Sequence, residues 1–184
     1  RYQVIHFETD VSREMHSWLF GANANLSYDV SLIWVKAVDD DFHARFSALA
    51  RTYTYLILNR PARPGLFQPL VTWERHPLDI SLMSKAALCL TGLHDFSSYR
   101  AQACQSHSPI REIHQLKIER HGDYIFIKVR ANAFLYHMIR NIAGVLIAIG
   151  SGKEKVEWAR RVLEAKNRAA AGRCLRGIWA AQSR

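Results

Sequence analysis

The chain has 184 residues, 49% of them hydrophobic, and a formal net charge of +9. That is enough apolar material for a real core in one large domain or two small ones, and too much for a disordered chain. The basic excess favours a polyanionic partner, nucleic acid before an acidic membrane surface. The three cysteines (Cys89, Cys104, Cys174) are odd in number and lack a CxxC pair, which argues against a disulfide framework and a cysteine zinc site.

Residues 2–8 (YQVIHFE) alternate like a strand. The strand has no lead-in, so residues upstream of it are expected. Nothing in residues 1–9 reads as a signal peptide, and a reducing cytoplasm is the default expectation. Residues 12–20 suit a short helix with Ser12 as its cap, and residues 23–27 carry loop chemistry. Residues 31–38 read as a second strand. The acidic triplet Asp39, Asp40 and Asp41 could bind a cation, but fits a turn and helix start better.

Residues 46–58 (FSALARTYTYLIL) form a long β-prone run, followed by a proline-rich loop at residues 60–65. Residues 79–91 suit a helix opened by Asp79 and closed by Gly92, with a turn over residues 92–98. Residues 111–120 and 123–131 predict two strands joined at His121 and Gly122, a good hairpin signal. A helix is expected from Asn132, as cap, to Gly150 and Gly152. Its apolar stripe is Leu135, Ile139, Ile142, Leu146 and Ile149, with His137, Arg140, Asn141 and Gly144 on another face. A last helix is expected at residues 153–166. Paired strands with intervening helices indicate an α+β fold, a largely antiparallel sheet layered by helices on one face.

The helix at 132–150 holds a single charge, Arg140. Arginine keeps its proton, so burial would require an anionic partner; the alternative is a guanidinium that snorkels to water. His, Arg and Asn together at its middle argue against a membrane span. Upstream, Arg45, Arg51, Arg100 and Arg111 mostly lie beside aromatics or turn residues. Rings interleaved with cations, as in Phe42, His43, Arg45 and Phe46 and again in Arg51, Tyr53 and Tyr55, suit a phosphate backbone with unstacked bases. The same pattern fits a sheet with an aromatic core face and solvated arginines. Tyr55 is expected in the core, although Tyr53 shares its strand face and spacing alone cannot separate them. No GxSxG, GxxxxGK[ST], GxGxxG or HExxH occurs. His107, His114 and His121 are spaced by seven without a carboxylate at ligand spacing, which argues against a metal site.

The segments VIHFET, FHARFSALARTYTY, GLHDFSSYR, SPIREI and ANAFLYHMIRNI, in that order, resemble the bacterial tRNA pseudouridine synthase A family, the TruA family. The resemblance runs from residue 1 to about 167. It implies the pseudouridine synthase fold over residues 1–167, with residues 168–184 as a divergent basic tail in which only residues 177–179 suggest the family's closing strand. It also implies an isomerase that detaches uracil from ribose and rejoins it through C5 in the tRNA anticodon stem-loop. Such an enzyme works as a homodimer, without metal or cofactor and away from any membrane.

By the family's motifs, Tyr53 would stack on the flipped uracil and Arg140 would ion-pair with the catalytic aspartate. Leu135 would lie in the substrate site. Arg45, Arg51, Arg100 and His137 would contact RNA. The GRTDxGVH motif that carries the aspartate is not among these 184 residues, and Asp10, Asp39, Asp40 and Asp41 sit in no matching motif. The chain by itself is therefore expected not to catalyse. The alternative expectation is a non-catalytic RNA-binding fragment.

Overall fold

The computed structural model describes residues 3–65, 70–101, 103–171 and, as backbone, 180–183. Two compact units divide the chain, Val4–Ala48 and the residues from Leu49 onward.

The larger unit is a mostly antiparallel sheet with helices packed on one face, as expected. Its strands are β1 (Arg51–Asn59), β2 (Thr72–Glu74), β3 (Gly92–Asp95), β4 (Ile110–His121), β5 (Tyr124–Ala131) and β6 (Ala180–Ser183). The order is β2-β1-β5-β4-β3. One edge of β1 pairs antiparallel with β5, Arg51 opposite Ala131 and Tyr53 opposite Val129. The other edge is shared by β2, parallel along residues 57–59, and β6, antiparallel along residues 51–54. Strand β6 lies in the basic tail; residues 177–179, which suggest the family's closing strand, lie outside the described residues.

Burial follows the pleat. Tyr55 and Ile57 of β1, with Ile125, Ile127 and Val129 of β5, are fully buried beneath the helices. The hairpin turn between β4 and β5 needs Gly122, whose φ is +58°. Helix α2 of this unit (Ile80–Ala87) starts as the sequence predicts, with Asp79 accepting from the N–H groups of Ser81 and Leu82. A 3-10 turn, Leu88–Leu90, continues it. Helix α3 (Met138–Gly150) buries ten residues of the apolar run, including Ile139, Ile142, Leu146 and Ile149. Helix α4 (Trp158–Ala165) covers Ala159, Val162 and Leu163. Among the described residues no helix is long and apolar enough to cross a membrane.

Several boundaries differ from the sequence reading. Helix α3 begins at Met138, not after Asn132, and α4 begins at Trp158, not residue 153. Strand β1 begins at Arg51 because residues 43–47 close a turn, with Ser47 N donating to His43 O at 2.8 Å. Residues 92–95, read as a turn, form β3 against β4.

Val4–Ala48 contains one helix, α1 (Met15–Asn25), with Glu14 rather than Ser12 at its cap position. The strands expected at 2–8 and 31–38 are not found among the described residues of this unit. A strand needs a paired backbone, and at Leu32 a side chain supplies it instead. Asn23 accepts from Leu32 N at 2.8 Å and donates to Leu32 O at 2.9 Å. No residue of its helix is buried, and Phe20, Trp34 and Phe46 are exposed. His43 organises a local ring cluster: it packs at 4.4 Å from His6 and 4.3 Å from Phe46. Its Nδ1 accepts from the N–H groups of Arg45 and Phe46, leaving the Arg45 guanidinium 5.6 Å from the centre of the Phe46 ring.

Candidate active site

Strand β1 carries the core face out to the end of the sheet. Arg51 and Tyr53 stand on the same face as the buried Tyr55 but are only half-buried. The Phe134 ring meets Tyr53 edge-on at 4.9 Å, interplanar angle 89°. That contact holds the tyrosine ring upright without burying its whole face.

The connection from β5 to α3 is built around Asn132. Its Oδ1 accepts from Glu112 N at 3.1 Å and Ala133 N at 2.7 Å. Its carbonyl accepts from Arg51 Nη1 at 3.1 Å. These bonds end the sheet, which is why the residue that looks like a helix cap caps nothing. Leu135 follows and is buried in the core, with its carbonyl accepting from Met138 N at 3.0 Å.

His137 occupies the helix cap position with φ +58°, a left-handed conformation rare for a residue with a β-carbon. Its ring stacks on Tyr136 at 4.0 Å and 23°. Its Nε2 lies 3.4 Å from Arg140 Nη1. Burial first, and the neighbouring Arg140 second, hold the imidazole below the ordinary histidine pKa. Arg140 itself sits in the first turn of α3, half-buried, with Nε buried.

Residues 100–101 and 103–111 form the adjoining wall. Ala101 N donates to Tyr136 O at 2.9 Å, linking this loop to the start of α3. Arg100 Nη2 donates to Cys104 O at 3.1 Å. Arg111 donates to Ser108 O at 3.0 Å and Ser106 Oγ at 2.6 Å. Burial pushes the Cys104 thiol up, but the N–H groups of Ser106 and Tyr136 with the charges of Arg100 and Arg111 outweigh it, and the net shift is downward.

Beneath the site Asn141 is fully buried. It donates to Tyr99 O at 2.7 Å and accepts from Arg168 Nη2 at 3.2 Å.

The larger unit therefore gathers Arg51, Tyr53, Leu135, His137, Arg140 and Arg100 around the segment that joins β5 to α3; Arg45 belongs to the other unit. Sequence reading passed over Phe134, Tyr136 and the scaffold of Tyr99, Arg168 and Ser98, whose Oγ accepts from Asn167 N at 2.9 Å. Four of them, Phe134, Tyr136, Ser98 and Tyr99, lie inside the NAFLYHMIRN and DFSSYR segments, and Arg168 lies in neither. Among the described residues no group of three or more His, Cys, Asp or Glu could hold a metal ion. The arrangement offers an aromatic face for a planar ring, a permanently charged guanidinium for an oxyanion, and further arginines suited to phosphate.

An α+β sheet layered by helices thus carries, at one end, tyrosine and arginine side chains whose chemistry suits a planar ring and anionic groups. A family model described as tRNA pseudouridine synthase matches residues 86–177. The chain is 53% identical over 170 residues to tRNA pseudouridine synthase A of Nitrosococcus oceani, covering 92% of this chain and 66% of the relative. The Pseudomonas aeruginosa protein of the same name is 50% identical, with 92% and 60% covered. That of Coxiella burnetii is 51% identical, with 92% and 65% covered. The chain belongs to the tRNA pseudouridine synthase family. It spans 60 to 66% of the length of these curated relatives.

Proposed function

We propose that this chain is the Tyr53- and Arg140-bearing portion of a tRNA pseudouridine synthase that isomerises uridine in the anticodon stem-loop. In this reaction the N1–C1′ bond breaks and a C5–C1′ bond forms. N1 gains a proton and C5 loses one, so no electrons are exchanged and no cofactor is required. The target base leaves its stack to reach the site.

The observation that carries the reading is that one segment, residues 132–137, touches both Tyr53 and Arg140. The Phe134 edge steadies Tyr53, and His137 contacts Arg140. Tyr53 stacks on the flipped uracil and assists loss of the C5 proton. Arg140 holds the catalytic aspartate ionised and aimed. Leu135 packs beneath the substrate site, while Arg45, Arg51, Arg100 and His137 contact the RNA. The catalytic fold comprises residues 1–167, and the basic stretch 168–184 is a divergent end. The active species is a cytoplasmic homodimer.

The aspartate belongs to a GRTDxGVH motif that these 184 residues do not contain. The same observation favours a second reading: this chain by itself binds tRNA, with strong salt dependence, and turns nothing over. Tritium release from C5-labelled tRNA decides, measured on this chain and on a form extended upstream through the aspartate motif. Release from the extended form alone supports both statements. Release from this chain would mean that another carboxylate is the nucleophile. A folded extended form that releases nothing would leave the binding reading.

A further inference from the structure

Helix caps are ordinarily Ser, Thr, Asp or Asn, whose short side chains accept from the first free N–H groups. His137 holds that position in α3, makes no side-chain cap bond, and adopts a backbone conformation unfavourable to any residue with a β-carbon. Strain of this kind persists where the side chain has another use. Here the left-handed turn directs the ring to two neighbours. One face lies on Tyr136, whose carbonyl is tied to Ala101 N. The Nε2 edge meets Arg140 Nη1, three residues along the helix.

We propose that His137 is a positioning residue for Arg140: its Nε2 lone pair accepts from the guanidinium and fixes the direction in which the remaining N–H groups point. The proposal rests on the reading of Arg140 as the partner of the catalytic carboxylate. A guanidinium on a long flexible stem must be held before it can orient a partner within a few tenths of an ångström. Tyr136 acts as a backing plate for the ring, and the Ala101 contact holds that plate. The imidazole must carry its proton on Nδ1 for Nε2 to accept. Burial and the adjacent positive charge both favour the neutral ring that this requires.

The test uses long-range 1H–15N spectra of this chain, native and with His137→Phe and His137→Gln. Phenylalanine keeps a ring against Tyr136 and removes the acceptor; glutamine restores an acceptor without a ring. The native chain should show an unprotonated Nε2 and slowed exchange of the Arg140 Nη protons. The slowing should disappear in His137→Phe and return in His137→Gln. In the form that releases tritium, His137→Phe should lower kcat at saturating tRNA about tenfold, and His137→Gln should recover most of it. An Nε2–H tautomer, or unchanged Arg140 exchange in His137→Phe, overturns the proposal. So do equal losses in both variants, which would indicate a structural role alone. If neither variant folds, the native tautomer decides. If no form releases tritium, the functional reading fails while the spectra still judge the His137–Arg140 contact.

Discussion

The side-chain amide of Asn141 donates to the carbonyl oxygen of Tyr99 at 2.7 Å, in a fully buried position. This bond joins α3 to the segment leading into residues 100–111, and so fixes one wall of the site against the helix that carries Arg140. Asn141→Leu would keep the branched shape of the side chain and leave the Tyr99 carbonyl buried without its donor. It should cost about 1–3 kcal/mol of stability, measured by urea unfolding.

Gly150 closes α3 against α2. A β-carbon there would lie 2.7 Å from Met83 Cγ and 2.8 Å from Met83 Sδ, and Met83 is fully buried. The Asp79 carbonyl oxygen, at 3.4 Å from the same β-carbon, closes the site from another side. Gly150→Ala should therefore destabilise by about 1–3 kcal/mol. In combination with Met83→Ala the loss should be smaller than the sum of the two single losses, because the second change removes the clash. Thermal unfolding of the four proteins measures that coupling.

The parts of this fold visible in the sequence are those encoded by neighbouring residues. The Asp79 cap, the turn at Gly122 and the apolar stripe of α3 each depend on a few adjacent side chains. Strands β2 and β3 have three and four residues, too short for an alternating pattern to stand out. Asn132 looks like a helix cap by residue type, yet it answers to Glu112 and Arg51, partners that lie far from it in sequence. The pairing that sets Tyr53 apart from Tyr55 is equally remote. Both share one strand face, and only the end of the helical cover leaves Tyr53 half-exposed. Periodicity could not reveal the left-handed turn at His137, because a single residue's backbone conformation leaves no mark on the spacing of apolar positions.

His137 should titrate below the free histidine value of about 6.5. The sign follows from linkage. As pH falls through 6.5, the unfolded chain binds a proton that the folded chain still refuses, so stability declines between 6.5 and the folded pKa. Above 6.5 this contribution is complete and flat. The NMR titration midpoint should rise in Arg140→Gln, which removes the charge but leaves the burial. An unchanged midpoint would mean that burial alone sets it.

Arg140 and Arg45 should separate catalysis from binding. In the extended, active form, Arg140→Ala should lower kcat by about a hundredfold or more, as for loss of a preorganised electrostatic partner. Its tRNA affinity should change by less than about threefold, under roughly 0.7 kcal/mol. Equal losses in turnover and affinity would assign Arg140 to a phosphate instead. Arg45 stands over Phe46 on the exposed turn at residues 43–47, where a guanidinium suits a phosphate. Arg45→Ala should weaken tRNA binding across sequences and reduce the slope of log affinity against log salt by about one, with kcat at saturating tRNA little altered. Filter binding at several salt concentrations reads the slope, and a kcat loss matching that of Arg140→Ala would move Arg45 from the RNA path into the reaction site.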